Sequence, residues 1–592
     1  MRNLDYGLIG NCAINALIDT RGCIVWSCFP RFDGDPVFSR LLDDDRERGF
    51  FSVEIDNLVG SEQRYLENTA ILHTVLRDDL GNGVDITDFC PRFEQFERTY
   101  RPTMIVRIVE PVGETPRVRI RLRPHFDYGA TEPVVTRGSN HIRFVHATES
   151  LRLSTNAPLT YVLDEQTFQL DGPLVLMLGP DESLRAGLHE TAREFLERTI
   201  AYWRQVSGRL HVPFDWQDAV IRSAITLKLC SFEETGAIIA SPTTSVPEAD
   251  GQGRNWDYRY CWIRDAFFVV RTLNRLGYIE TMENYLRYIN SLVSSSPDGY
   301  MQPVFGIGLE RALVEREIDT LAGYQGNKPV RVGNQAYEHL QHDGYGSVIL
   351  AATQAFFDRR LRQPAGRAAF EKLEVLGEKA WQYHDQPDAG LWEFRTKARV
   401  HTHSSFMCWA ACDRLARIAD HLDLEARREH WRQRADRIKE VVVERAWSEE
   451  LQSFTASFGG RDLDASLLLM DDVGFVHADD PRYHATVAAV ERELRDGAYV
   501  HRYRAADDFG RPDNAFLICS FWLVDAFVSI GRTEDARILF EELLTCRNHL
   551  GLLGEHVGLA DKRLWGNFPQ TYSHVGLINC AMRLSRPWDQ VV

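Results

Sequence analysis

Arg117-Val118-Arg119-Ile120-Arg121-Leu122-Arg123 changes at every step between arginine and a branched aliphatic residue. Successive side chains of an extended strand point to opposite faces. The stretch therefore reads as a β-strand with Val118, Ile120 and Leu122 on a buried face and the arginines outside. Met104 to Val109 and Leu174 to Leu178 read as further strands. Gly81-Asn82-Gly83, Pro111-Val112-Gly113 and Asp171-Gly172-Pro173 supply turns between such runs. Many short strands with turns between them imply an antiparallel β-sandwich, assigned to residues 1–185.

The periodicity changes near Asp181. Glu190 to Val206 reads as a helix in a linker, residues 186–214. From 215 to 592 helices dominate. Trp431, Ala435, Ile438 and Val442 fall at steps of four and three, one face of a helix. Asp215–Cys230, Asp265–Leu276, Gly346–Phe357, Arg367–Trp381, Ser404–Ile418, Asn514–Ile530, Thr533–Thr545 and Thr571–Leu584 are similar. Some, notably Asn514–Ile530, are apolar nearly all round, while others carry one charged face. That contrast suits two concentric rings, the inner helices buried and the outer half exposed. No fixed-length repeat argues for a solenoid.

Composition narrows the function. The chain has 592 residues, 44% of them hydrophobic, and a formal charge of −17. It can bury more than one core. Its acidity, without a Lys/Arg block, argues against nucleic acid or an anionic membrane as a partner. No uncharged apolar run reaches about 18 residues, so no membrane span is expected. The start lacks the pattern of an export signal. Eleven scattered cysteines without C-x-x-C spacing read as reduced, buried thiols, which points to a cytoplasmic protein. His401-Thr402-His403 lacks a supporting carboxylate motif and is not assigned to a metal. Oligomeric state, a homo-oligomer included, is left open.

Two carboxylates stand in short Gly/aromatic segments: Glu393 in Gly390-Leu391-Trp392-Glu393, and Glu555 in Gly551-Leu552-Leu553-Gly554-Glu555. Glycosidic hydrolysis needs such a pair, one to protonate the leaving oxygen and one to activate water. The richest polar-aromatic stretch runs from Arg254 to Asp265 and holds Trp256, Trp262 and Arg264. Aromatic faces cover the C–H faces of a pyranose, and Arg and Asp bond its hydroxyls. The bland alternative is a helix start with Trp262 in the core. Gln341 and Asp343 lie in a second cluster, which also reads as a polar loop before a helix. His403, Trp409 and Trp392 accompany Glu393, and Trp409 taken alone reads as core. Gly566 to His574 would present Tyr572 beside Glu555, or simply start the last helix.

Together these motifs resemble glycoside hydrolase family 15, which contains glucoamylases and bacterial trehalases. The resemblance spans essentially the whole chain. Trp262-Ile263-Arg264-Asp265, Gly390 to Glu393, and Gly566-Asn567-Phe568-Pro569-Gln570 with Ser573-His574 carry it. Ile9-Gly10-Asn11, Gly22 to Trp26 and Phe32-Asp33 look like the N-terminal domain of the trehalase-like branch. The resemblance implies a β-sandwich followed by an (α/α)6 barrel. It implies an inverting, cofactor-free hydrolase acting on a terminal α-linked glucose. Glu393 stands at the general-acid position and Glu555 at the general-base position. Arg264 and Asp265 stand at the clamp on the terminal glucose, with Trp262 lining that pocket. His339 replaces a usual Gln, Ser405 a usual Lys, and Asp513-Asn514 a usual Glu-Gly. These departures bear on substrate choice.

The expected reaction is a single displacement releasing β-glucose. Glu393 must hold a proton, with Trp392 covering it, and Glu555 is expected in a polar setting near Tyr572. The N-terminal resemblance favours α,α-trehalose as the α-glucoside. A glucoamylase or isomaltose-type glucohydrolase is the alternative, and a glycoside phosphorylase or a non-catalytic sugar-binding protein stands behind both. Glucose release from trehalose, maltose, isomaltose and soluble starch separates the first two.

Overall fold

The computed structural model describes residues 3–43, 47–147 and 149–590. Two antiparallel sheets make the N-terminal part. One runs in the order Tyr6–Gly10, Asn15–Asp19, Ile24–Cys28, Phe50–Ile55, Arg117–Arg123, Phe168–Gln169, with Pro36–Phe38 attached to Ile24–Cys28. The other runs Val134–Arg137, His141–Val145, Ser150–Thr155, Leu174–Pro180, Ile105–Val112, Gly83–Phe89, Leu72–Asp78, Leu58–Tyr65. Val118, Ile120 and Leu122 pair with Ile55, Val53 and Phe51 and are buried. They face Ile86, Ile105, Val109, Leu176 and Leu178 of the second sheet across one apolar core. On the outer face, Arg121 and Arg123 share Glu165 and cross the Phe50 ring.

Helix α1 (Leu159–Leu163) is a single short turn beside the first sheet, and α2 (Leu188–Ser207) follows the last long strand. The expected linker helix is more than a connection. Its Ala192, Phe195, Leu196 and Ile200 cover Val106, Ile108, Val175 and Met177 on the far side of the second sheet.

The remaining helices are α3 (Gln217–Leu229), α4 (Ala266–Leu276), α5 (Ile279–Ser294), α6 (Asp343–Phe357), α7 (Arg367–Tyr383), α8 (Thr402–His421), α9 (Glu425–Ala446), α10 (Leu469–Asp472), α11 (Pro481–Leu494), α12 (Leu517–Ser529), α13 (Thr533–Leu544) and α14 (Thr571–Leu584). Helices α4, α6 and α8, then α10 with the 3-10 turn Ala465–Leu468, then α12 and α14 touch in sequence, and α14 returns to α4. That ring is the inner layer. Helices α5, α7, α9, α11, α13 and α3 pack outside it, giving the (α/α)6 barrel. The apolar-all-round segments became inner helices: α12 buries Leu517 to Val524 without interruption. Outer α9 buries only the stripe Trp431, Ala435, Ile438, Val442 and Ala446. Such stripes are what a helix covered on one side requires.

One expected helix begins later than its apolar run. Ala515–Phe516 is a strand pairing with His556–Val557, so α12 starts at Leu517, whose N–H donates to the Glu555 carbonyl at 3.0 Å. Helices α5 and α11 are not among the segments singled out above, although α5 buries Met282, Tyr285, Ile289 and Leu292 along one face. Sandwich and barrel share an apolar contact, Tyr6 on Phe568 and Phe32 on Phe232, and polar bonds. Trp26 Nε1 donates to the Pro242 carbonyl at 2.8 Å, and Asn548 Nδ2 to those of Leu4 and Tyr6 at 3.0 and 2.9 Å. Among the described residues no helix is long and apolar enough to cross a membrane. All eleven cysteines are free and buried.

Candidate active site

The singled-out residues precede the inner helices. Trp262 to Asp265 lead into α4, Gln341 to Asp343 into α6, Glu393 to His401 into α8, and Glu555 to Gln570 into α14. The ring therefore gathers its N-terminal loops at one end. There a cavity of about 900 Å³, mouth included, is lined by Trp256, Tyr258, Trp262, Arg264, Asp265, Trp392, Glu393, Glu555 and Tyr572, among others.

The Glu393 loop is strongly constrained. Gly390 has φ +66°, and a Cβ there would stand 2.7 Å from the His401 ring. Asp388 accepts from the His342 backbone N–H at 2.8 Å and from Ser404 Oγ at 2.7 Å, pinning the loop to the starts of α6 and α8. Burial pushes the Asp388 carboxyl up to about 7. Glu393 itself has φ +63°, a left-handed backbone that is costly for a side chain larger than glycine. Such strain clusters at functional positions. Its Oε1 accepts from Trp262 Nε1 at 2.7 Å and from Arg264 Nη1 at 3.0 Å. Trp392 lines the cavity with Glu393, and its indole N–H goes to Asp464 Oδ2 at 2.7 Å.

The Glu555 loop is held from α14. Gln570 N–H donates to the Leu553 carbonyl at 3.0 Å, Ser573 Oγ to the Gly554 carbonyl at 2.9 Å, and Leu553 N–H to His574 Nε2 at 3.2 Å. Gly566 has φ +77°, and a Cβ there would meet Glu555 Cβ and Oε2 at 2.6 Å. The Gly566-to-His574 motif is thus the cradle of Glu555. The nearest donor to Glu555 is Tyr258, whose hydroxyl reaches Oε1 at 2.7 Å. Burial and the Glu555 carboxylate push that phenol well above its usual range, so it remains a donor. Tyr572, expected beside Glu555, packs against Phe268 and Trp522 on the cavity wall. Tyr258 and Trp262 meet edge to face, centroids 5.2 Å apart, and so join the holders of the two carboxylates.

Arg264 also donates Nε to Asp265 Oδ1 at 3.0 Å and Nη1 to the Leu391 carbonyl at 2.9 Å. Burial works against its charge, but Asp265, Glu393 and Asp343 outweigh it and hold the guanidinium ionised. Burial raises Asp265 despite Arg264.

Four expected contacts do not line the cavity. Gln341 and Asp343 are buried with side-chain oxygens unpaired, and His403 is buried in the first turn of α8 against Phe406. Burial holds Asp343 up at about 6 and His403 down at about 3. Trp409 lies further along α8, edge-on to Phe475 and under the Lys439 ammonium. Two helical turns beyond the loop, it belongs to the packing between helices. Of the departures from the family pattern, His339 is on the cavity wall, while Ser405 is buried within α8 and Asn514 bonds the Glu248 carbonyl.

The wall also contains residues not singled out before. Glu248 accepts from Trp256 Nε1 at 2.9 Å and Arg502 Nη2 at 2.8 Å, while Arg254 grips Asp507 with both nitrogens at 2.8 and 2.5 Å. Tyr258 stood inside the Arg254–Asp265 stretch and was legible there. The Glu248–Arg502 pair spans 254 positions and has no local signal.

Residues 215–582 match the sequence profile of glycosyl hydrolases family 15. The chain belongs to that family. It is a glycoside hydrolase. Residues 5–169 match a second profile, described as trehalase-like, N-terminal. A trehalase of Thermoplasma volcanium is 31% identical, over 98% of this chain and 93% of its own. One of Mycolicibacterium smegmatis is 33% identical, over 99% and 92%. A bacterial glucoamylase solved with acarbose shares the fold at TM-score 0.70 and 13% identity, covering 98% of this chain and 94% of its own.

Proposed function

We propose that this family 15 hydrolase cleaves α,α-trehalose with inversion, Glu393 acting as general acid and Glu555 as general base. The observation that carries the reading is that the two motif carboxylates line one cavity, Trp262 donating to Glu393 and Tyr258 to Glu555. Arg264 and Asp265 bind the terminal glucose beside Glu393, with Trp262 and Tyr572 against its ring. Glu393 passes its proton to the glycosidic oxygen as the C1–O bond breaks. Glu555, oriented by Tyr258, takes a proton from the water that attacks C1 from the opposite face. Inversion requires the carboxyls about 6.5–9.5 Å apart, room for that water. The trehalase-like N-terminal match and the trehalases at 31% and 33% identity support trehalose as the substrate.

Both glucoses of trehalose are α, and only the attacked one inverts. NMR during the first turnovers should show α- and β-glucose in equal amounts. Early product that is entirely α would establish retention and sink the assignment. Glu393→Gln and Glu555→Gln should each cut kcat by roughly 10²–10⁴-fold with folding preserved. Faster release of glucose from maltose or starch than from trehalose would replace the substrate.

A further inference from the structure

Part of the cavity wall has no role in the reading above. Trp256 and Phe509 meet edge to face at 5.1 Å. The Arg395 guanidinium lies 4.9 Å from the Trp256 centroid and 5.4 Å from that of Phe509. Its Nη2 reaches both oxygens of Glu315, at 3.2 and 3.0 Å. Among the described residues no protein acceptor is bonded to its Nε or Nη1, which leaves the N–H groups of both nitrogens unpaired on a cavity-lining group backed by two aromatic rings. Unpaired N–H donors beside aromatic rings suit the hydroxyls and C–H groups of a pyranose.

The segment carrying Phe509 is fastened on two sides. Asp507 is gripped by Arg254, two residues before Trp256, and accepts from Tyr503 Oη at 2.6 Å and the Phe509 N–H at 2.8 Å. Asp508 accepts from the Arg395 backbone N–H at 2.6 Å, the Thr396 N–H at 3.2 Å and the Thr396 hydroxyl. Lys397 Nζ adds a bond to the Ala506 carbonyl at 2.5 Å. Arg395 stands two residues after Glu393, so Asp508 joins the Phe509 segment to the loop carrying the acid.

We infer that Trp256, Phe509 and Arg395 seat the leaving-group sugar, and that Asp508 is a positioning residue linking that seat to Glu393. The inference rests on the proposed function, in which Glu393 and Glu555 are acid and base and Arg264 and Asp265 grip the attacked glucose. It makes the second sugar a determinant of the acid's placement: a sugar held by Arg395 shares one hydrogen-bonded frame with the group that protonates its oxygen.

The test compares trehalose with α-glucosyl fluoride, whose leaving group is one atom with no hydroxyls to seat. For Arg395→Gln and Phe509→Leu, the ratio of kcat/KM on trehalose to kcat/KM on the fluoride should fall by about tenfold or more. Asp508→Asn should lower kcat on trehalose with KM little changed, and slow the fluoride less. Equal losses on both substrates, or no change in the ratio, overturn the inference. Failure of the underlying reading looks different: Glu555→Gln would then still hydrolyse the fluoride. If Glu555→Gln abolishes both activities while the ratio is unmoved in the Arg395 and Phe509 variants, only the seat is wrong.

Discussion

His574 shows how one residue's protonation state can hold the Glu555 loop. Its Nε2 accepts from the Leu553 N–H, so the ring proton sits on Nδ1 and goes to Ser223 Oγ at 2.9 Å. Burial drives the imidazole down from 6.5 to about 3, with Arg547 and Arg222 adding to it. The native ring stays neutral where the unfolded chain takes a proton. Its contribution to stability is therefore present above pH 6.5 and is lost as pH falls through that range toward about 3. His403, pushed down to about 3 by burial, acts in the same direction. We expect the melting temperature to fall on acidification through this window and to fall less steeply in His574→Gln. An unchanged slope removes His574 from the account. Tyr258→Phe tests a different part of the same loop. It takes the donor from Glu555 with no change of shape, and should raise the barrier by about 1–3 kcal/mol, roughly 5–150-fold in kcat. The melting temperature should barely move. Full activity in that variant would deny Tyr258 its orienting role.

At the level of helices and loops, close approach decides that position 346 must be glycine. Gly346 lies where α6 crosses α8, and a Cβ there would overlap the Met407 carbonyl oxygen. Gly346→Ala must push the two inner helices apart. It should cost about 1–3 kcal/mol, read as a lower denaturation midpoint, with kcat per folded molecule kept. A neutral effect would mean that the crossing is looser than drawn. Element identity was legible because burial writes itself into periodicity: the Arg/aliphatic alternation of 117–123 and the unbroken apolar run of α12 each admit one placement. Cavity-lining residues were legible where motif and geometry coincide, as at Trp262, Arg264, Glu393 and Glu555. They were not where a helix start intervenes. Asp343, His403 and Trp409 belong to α6 and α8, and a step of 100° around a helix decides between cavity and core. A sequence without its neighbours does not state that angle.

For the molecule as a whole, what the sequence left unsaid is how the sandwich is bonded to the residues beside the cavity. Arg259 is fully buried next to Tyr258, the residue that orients Glu555. It pairs with Asp257 at 2.9 and 2.8 Å and reaches into the sandwich, donating Nη1 to the Gly34 carbonyl at 2.7 Å and Nη2 to Tyr128 Oη at 2.8 Å. Nothing at 34 or 128 announces a partner more than a hundred positions away, and only the folded chain brings them together. A buried guanidinium needs all its acceptors, because an unpaired buried donor is costly. The sandwich thereby fixes the backbone on either side of Tyr258. Tyr128→Phe removes one of those acceptors while preserving ring volume, at a site outside the cavity lining. Since substrate does not touch it, KM for trehalose should hold while kcat falls several-fold through a loosened Tyr258–Glu555 bond. A purely structural role for the sandwich predicts the opposite division: a lower melting temperature with kcat of the folded enzyme intact. Steady-state kinetics set beside thermal melts of the same variant would distinguish a domain that steers the catalytic base from one that merely covers the barrel.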